Sequence, residues 1–334
     1  MTDSALGSIR RQTLDVMRRH TSPGDRIAVL DFPIHHNAGD SLIFAGQDQY
    51  FDTLDVHVDY RSDLLTHDDA LLRERVGDRT IFWGGGGNFG DRWPVHQEFR
   101  ERIAARFPDN KIVGLPQSID YANSDAVAKT AEIYARHPNL TLLLREQRSY
   151  DFALANFPAN KIEFCPDMAF GANISAIAGG EAVDVVKLLR MDSEQLDHGT
   201  VDIDYSTAQY DWGLRGKDLA VWNAITLPTR VAYNFPRAIR PLYPAIARSY
   251  PCAISLNLGA AQRILSQGSV VLTDRLHAAV LAGMMGKRVV AMDNANKKVS
   301  GTYDAYLHRF DNVRFASTAA EAAEMVADAV AASR

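Results

Sequence analysis

Apolar residues in this chain come in short runs, with helical patterns between them. Residues 26–32 (RIAVLDF) form a continuous apolar run that ends at a polar turn, and residues 54–60 (LDVHVDY) alternate. Further strand-like runs lie at 80–87 (TIFWGGGG), 111–118 (KIVGLPQS), 140–146 (LTLLLRE) and 161–167 (KIEFCPD). The clearest helix between them is WPVHQEFRERIAARFP. Pro94 suits a first helical position there, and Phe99, Ile103 and Phe107 recur every four residues. Strands separated by single helices predict βαβ crossovers and a mainly parallel sheet.

The second half repeats the theme with a looser start. Residues 182–190 (AVDVVKLLR) read as a strand, and 191–214 are polar and acidic, a long loop. Residues 217–251 hold helical pieces broken by Pro228, Pro236, Pro241 and Pro244. A helix around 254–267 follows. Residues 270–293 (VVLTDRLHAAVLAGMMGKRVVAMD) then read as strand, turn, helix, glycine stop and strand. A short helix is expected near 303–308, and a last one from Thr318, where Thr318 and Glu321 make a capping box. Residues 170–182 (GANISAIAGGEA with its flanks) are small and linker-like. The expected fold is therefore α/β, with two Rossmann-like domains, 1–175 and 176–334, facing across a cleft. Ligands of open parallel sheets bind beyond the carboxyl ends of the strands.

Composition narrows the function. The 334-residue chain carries 36 Lys and Arg against 41 Asp and Glu, a net charge of −5, and has no basic stripe, which argues against nucleic acid. Its two cysteines, Cys165 and Cys252, each adjoin a proline, and no metal-ligand spacing appears, so neither metal nor disulfide framework is expected. No signal-peptide pattern and no run near the ~18 apolar residues of a membrane span are present. A cytoplasmic protein is expected. Ala5, Ile9, Leu14 and Met17 share a helical face beside Arg10, Arg11, Arg18 and Arg19. That helix reads as packed on the first domain; the alternative is peripheral contact with anionic lipid at the inner face of the membrane.

The candidate chemistry lies at the strand ends. Arg275 and His277 occupy the first turn of an apolar helix, where the macrodipole is already positive, and a bound anion would explain both. After the first strand, Asn37, Gly39, Asp40 and Ser41 turn into a helix. Asp40 reads either as a cap or as a base accepting a hydroxyl proton. The glycines at 84–87 let backbone approach a ligand, with Gly85 and Gly86 as the approach points and Asn88 orienting substrate; the run is neither GxGxxG nor a Walker loop. Gln117 and Ser118 are neutral hydrogen-bonding groups suited to a sugar. Arg145 directly follows an apolar run and should enter the cleft; Arg148 is its rival, and a surface Arg–Glu pair is the bland reading. Asp167, Arg190, Asp192, Asn294 and Lys298 end other strands. Arg145, Arg190, Arg275 and Lys298 are expected to converge on one small polyanion, because an arginine fork fits carboxylate or phosphate. Of His35 and His36, only one can face such a site.

These pieces together resemble the polysaccharide pyruvyl transferase family: HHNAGDSLI, GGGGNFGD, GLPQSI, LLLREQRSYDFA, CPDMAF, LLRMDSE and TDRLHAAVLAGMMGKRVVAMDNANKKVSG, in the family's order across roughly residues 31–304. Residues 193–250 match no motif. The resemblance implies a GT-B-like fold, phosphoenolpyruvate as donor, no cofactor, and a pyruvate ketal bridging two hydroxyls of a sugar in an exopolysaccharide, cell-wall polymer or glycolipid, free or lipid-linked. It implies donor binding by Arg275, Leu276 and His277 and by a first-domain arginine, assigned to Arg145; Arg190 and Lys298 join these as donor ligands from their strand-end positions alone. It implies His277 as the catalytic acid. Two other readings stand beside it: a GT-B glycosyltransferase using a nucleotide-sugar, and a non-catalytic glycan-binding partner.

Overall fold

The computed structural model describes residues 4–174, 180–190, 195–197 and 199–333. Its first half runs α1 (Ala5–Met17), β1 (Arg26–Leu30), α2 (Ala38–Thr53), β2 (His57–Arg61), α3 (Asp69–Val76), β3 (Ile81–Trp83), β4 (Gly86–Phe89), α4 (Pro94–Arg106), β5 (Ile112–Ile119), α5 (Ser124–Ala135), β6 (Leu140–Leu144), α6 (Gln147–Asn156) and β7 (Lys161–Phe164), then a 3-10 turn at Met168–Gly171. The strands pair in the order β2-β1-β3-β5-β6-β7, with β4 beside β5, and every pairing is parallel. Every residue of β5 and β6 is buried, as a parallel sheet covered by helices on both faces requires.

The second half runs β8 (Val183–Leu188), β9 (Thr207–Gln209), α7 (Gly216–Ile225), α8 (Leu227–Asn234), α9 (Ile239–Leu265), β10 (Gly268–Thr273), α10 (Leu276–Met284), β11 (Arg288–Ala291), α11 (Lys298–Ala305), β12 (Val313–Phe315) and α12 (Ala319–Ala331). Its sheet is also parallel, in the order β12-β11-β10-β8-β9. The chain changes sheet between Phe164 and Val183, around the linker-like segment; residues 175–179 of that segment lie outside the described residues.

Four elements depart from the sequence pattern. Part of the glycine run is a strand, β4, whose Gly86 pairs with Gln117. The polar segment 191–214 contributes the edge strand β9, which its acidic composition hides. Helix α9 runs for 27 residues straight through Pro244 and Pro251, with Pro241 in its first turn. The internal prolines sit on the exposed face, while Tyr243, Ile246, Tyr250 and Ile254 anchor the opposite face. The short helix expected at 303–308 begins earlier, at Lys298.

Packing then joins elements that are far apart in sequence. Tyr243 of α9 stacks on Tyr60 of β2, Tyr250 stacks on Phe32, and the Tyr250 hydroxyl donates to Asp63 Oδ2 at 2.8 Å. Helix α1 buries Ile9, Val16 and Met17, and Arg10 donates to the carbonyls of Phe170 and Ala172, so its apolar face belongs to the core. Gly46 in α2 lies so close to the 3-10 turn that a Cβ there would stand 1.8 Å from the Met168 carbonyl oxygen. Among the described residues no helix is long and apolar enough to cross a membrane.

Candidate active site

A cavity of about 440 Å³ opens where strand ends of both sheets meet. That volume is in the range of small-molecule pockets. Arg145, Arg190, Arg275 and Lys298 line it, as do Asn37, Asp40, Asn88, Leu276 and His277. They come from the ends of β6, β8, β10, β11, β1 and β4, so segments remote in sequence meet because each follows a strand. Among the described residues, four cationic side chains and one carboxylate, Asp40, line the cavity, and Asp167 and Asp211 pair with two of those cations.

Helix α10 supplies the centre. Arg275 takes the cap position without a side-chain cap, leaving the first amides of the helix without an intrahelical partner. Thr273 Oγ1 instead accepts from the Arg275 amide at 3.0 Å and fixes the turn. Arg275 Nη2 donates to Asp211 Oδ1 at 2.9 Å. His277 Nε2 lies 3.2 Å from Asp167 Oδ2. The same carboxylate oxygen accepts from Arg145 Nη1 at 2.7 Å, while Asp167 Oδ1 accepts from the Ala169 amide at 2.8 Å. Burial alone would raise the Asp167 carboxyl. The Arg145 charge, the His277 hydrogen bond and the Ala169 amide outweigh it and hold the group well below the usual carboxylate range. An ionised carboxylate only accepts, so the tautomer that donates from Nε2 of His277 fits this contact and leaves Nδ1 facing α2.

Helix α2 closes the other side. Asn37 caps it by accepting from the Gly39 amide at 2.8 Å. A Cβ on Gly39 would stand 2.9 Å from His277 Nδ1, so glycine is what lets α2 approach that nitrogen. Asp40 is not the cap. It lies in the first turn with Oδ2 at 2.7 Å from His35 Nε2. Burial works to raise the Asp40 carboxyl, but the His35 hydrogen bond and the charges of His35, His277 and Arg145 bring it below its ordinary value. For His35, burial opposes protonation, yet Asp40 raises its pKa. His36 turns away and meets the edge of the Trp222 ring.

Several predicted residues take other roles. Gly85 and Gly86 do not line the cavity; Gly87 and Asn88 do. A Cβ on Gly85 would lie 2.7 Å from the Pro116 carbonyl oxygen, so this glycine serves strand packing. Gly86 has φ +125°, a backbone shape that side chains resist, and pairs with Gln117. A Cβ on Gly87 would instead sit 3.2 Å from Lys298 Nζ and 3.5 Å from Arg145 Nη2. Gln117 and Ser118 are buried and support the site from behind: Gln117 donates to the Gly84 carbonyl at 2.9 Å, and Ser118 Oγ accepts from Arg145 Nε at 2.9 Å. Arg148 donates to the Asn296 carbonyl at 3.4 Å and lines a different cavity. Arg190 is tied through its amide to Asp274 Oδ1 at 2.7 Å, and the Lys298 amide donates to Asn294 Oδ1 at 3.1 Å. Asp192 lies outside the described residues.

The sequence reading missed two further contributors. The polar 191–214 segment delivers Asp211 to Arg275 and Trp212 to the cavity wall. On the opposite wall, Arg100, fully buried on α4, donates to Asp31 Oδ2 at 2.6 Å and to Asn88 Oδ1. His96 Nδ1 lies 2.8 Å from Asp31 Oδ1 and 3.0 Å from Asn88 Nδ2. His96 and Arg100 are four apart on α4 and so share a face; a polar stripe beside the Phe99 stripe was the available signal.

Fold and site together describe an α/β protein with a cationic cavity at the carboxyl ends of its parallel strands. The sequence model of the polysaccharide pyruvyl transferase family matches residues 37–296, so the chain belongs to that family and is a transferase. It is 28% identical over 298 residues to pyruvyl transferase 1 of Schizosaccharomyces pombe, covering 85% of this chain and 70% of that one. It is 28% identical over 307 residues to EpsO of Bacillus subtilis, which is assigned by name to the pyruvyl transferases, covering 90% of each. In fold it resembles a functionally uncharacterised protein from Klebsiella pneumoniae, with a TM-score of 0.60, 18% identity, and coverage of 93% of this chain and 99% of that one.

Proposed function

We propose that the chain transfers the pyruvyl group of phosphoenolpyruvate to two hydroxyls of one sugar, forming a ketal and releasing phosphate, with its two sheets facing each other in the GT-B manner. The observation that carries this reading is the meeting of Arg145, Arg190, Arg275, Lys298 and the N-terminus of α10 around His277. The donor has a carboxylate and a phosphate, and arginine forks with helix amides divide those charges well. Trp212 and the Asn88–His96 wall offer the acceptor an apolar face and hydrogen-bonding groups.

In the first step a sugar hydroxyl attacks C2 of the donor while C3 gains a proton, turning the methylene into a methyl group. His277 gives that proton from Nδ1, and Asp40 accepts the hydroxyl proton. In the second step the other hydroxyl bonds to the same carbon and gives its proton to His277, which was left neutral by the first step, as the C–O bond to phosphate breaks. The cations then hold the departing phosphate. No cofactor enters the scheme.

Calorimetry with phosphoenolpyruvate on the wild type and Arg275→Ala tests the reading. The wild type should release binding heat. The variant should bind about 10- to 100-fold more weakly, matching roughly 1.5–3 kcal/mol for a charge-assisted hydrogen bond. No binding by folded wild type, even with a sugar acceptor present, together with stabilisation by a nucleotide-sugar, would replace this reading with glycosyl transfer.

A further inference from the structure

The segment that matches no family motif forms a surface of its own. Residues 233–237 (Tyr-Asn-Phe-Pro-Arg) are all exposed in succession, Tyr233 by 56% and Phe235 by 67%. Val221, Leu227 and Val231 are exposed on the adjoining helices. The base beneath them is firm. α8 buries Thr229 and Ala232, and Trp222 of α7 packs with Leu214 and Ala253. Exposed aromatic and aliphatic groups on an anchored scaffold are unusual for a surface that meets only water.

The charges around these side chains are one-sided. Between residues 215 and 248 six residues are basic and one, Asp218, is acidic, in a chain whose net charge is −5. Asp218 is taken by Arg263 at 2.6 Å, and Arg240 pairs with Glu74 across the surface. Arg230 and Arg237 flank Tyr233 and Phe235 directly. A second copy of the chain fits this surface poorly, because a two-fold contact sets the same patch against itself and opposes arginine with arginine. An anionic bilayer fits both features. Tyr and Phe enter the headgroup boundary, and arginines at their flanks meet the lipid phosphates.

We infer that the α7–α8 surface, with Phe235 and Tyr233 at its tip, docks the protein on a bilayer containing anionic lipids. Its position suits that task, since α7 packs through Trp222 on the His36 ring, beside the His35–Asp40 edge of the cavity. A sugar carried on a lipid would thus be presented next to the site. The proposal takes its purpose from the pyruvyl-transfer reading but is tested without it.

The test is co-sedimentation of the full chain with phosphatidylcholine vesicles, with and without phosphatidylglycerol. Wild type should pellet with the anionic vesicles only, and salt should release it. Arg230→Gln combined with Arg237→Gln should weaken binding roughly 30-fold, at about 1 kcal/mol for each charge. Tyr233→Ser combined with Phe235→Ser should also lose binding. All four side chains are exposed, so both variants should keep wild-type circular dichroism and wild-type calorimetry with phosphoenolpyruvate. Failure of wild type to pellet with anionic vesicles, or undiminished binding by either variant, overturns the proposal. So does a vesicle-free dimer that the Tyr233/Phe235 variant abolishes. None of these outcomes bears on donor binding, which the calorimetry reads separately.

Discussion

Asp167 is where the two halves of the site meet, since one of its oxygens faces both Arg145 and His277. Asp167→Asn keeps the shape and removes the charge. It should not weaken phosphoenolpyruvate binding, because Arg145 loses a competing anion. Turnover should fall about 100-fold or more, the scale of lost acid–base catalysis, because an amide no longer fixes the proton on Nε2. Steady-state kinetics read this as a fall in kcat with little rise in KM; an unchanged kcat would remove Asp167 from the mechanism. The lone buried arginine should also cost about 3 kcal/mol of stability, so the assay belongs well below the variant's Tm. At this scale the sequence was informative at Arg145 and Arg190, which directly follow apolar runs, and at Arg275 and His277, which stand at the start of a helix: all four line the cavity. It misled at Gly85, Gly86, Gln117 and Ser118, which serve the strands beneath, because a strand end alone does not say which residues face outward.

At the scale of elements, small residues decide how closely α2 approaches its neighbours. Gly46 meets the Met168 carbonyl and Gly39 meets His277, so one helix positions both the segment after Asp167 and the His277 ring. Gly46→Ala forces a Cβ to 1.8 Å from backbone that cannot rotate away. The expected loss is at the upper end of the 1–3 kcal/mol scale of overpacking, roughly 3 kcal/mol, read as a lower denaturation midpoint with an unchanged slope. A midpoint equal to wild type would mean that α2 and the 3-10 turn slide apart freely. Helix α9 teaches the converse. Its prolines read locally as breaks, yet the apolar face packed on Tyr60 and Phe32 holds 27 residues in one helix. Tertiary burial outweighs local propensity there.

For the whole molecule, acid should be destabilising in two stages. Burial lowers the pKa of His20 to about 4, against an ordinary 6.5, despite Glu163 beside it. Between those values the unfolded chain binds more protons, so stability falls as pH drops from 6.5 towards 4, by up to about 3 kcal/mol from this group. The Asp167 carboxyl is depressed, so its contribution is present above the ordinary carboxylate range and is lost as pH falls below it. Denaturation curves from pH 7 to 4 should show the first stage, and His20→Gln should flatten it; an unchanged slope in that variant would place the proton uptake elsewhere. The alternation of apolar runs and helices was enough, by itself, to determine a parallel α/β chain, because strand burial and crossover geometry are local consequences of sequence. The pattern around residue 275 was likewise enough to mark a helix start that carries Arg275 and His277. Only the tertiary structure decided which strand ends share a cavity, that Asp211 and Asp167 pair with its arginines, that Gly39 makes room for His277, and that helices α7 and α8 expose basic and apolar side chains together. Those outcomes depend on distances between residues far apart in the chain, and such distances are set by packing rather than by any local pattern.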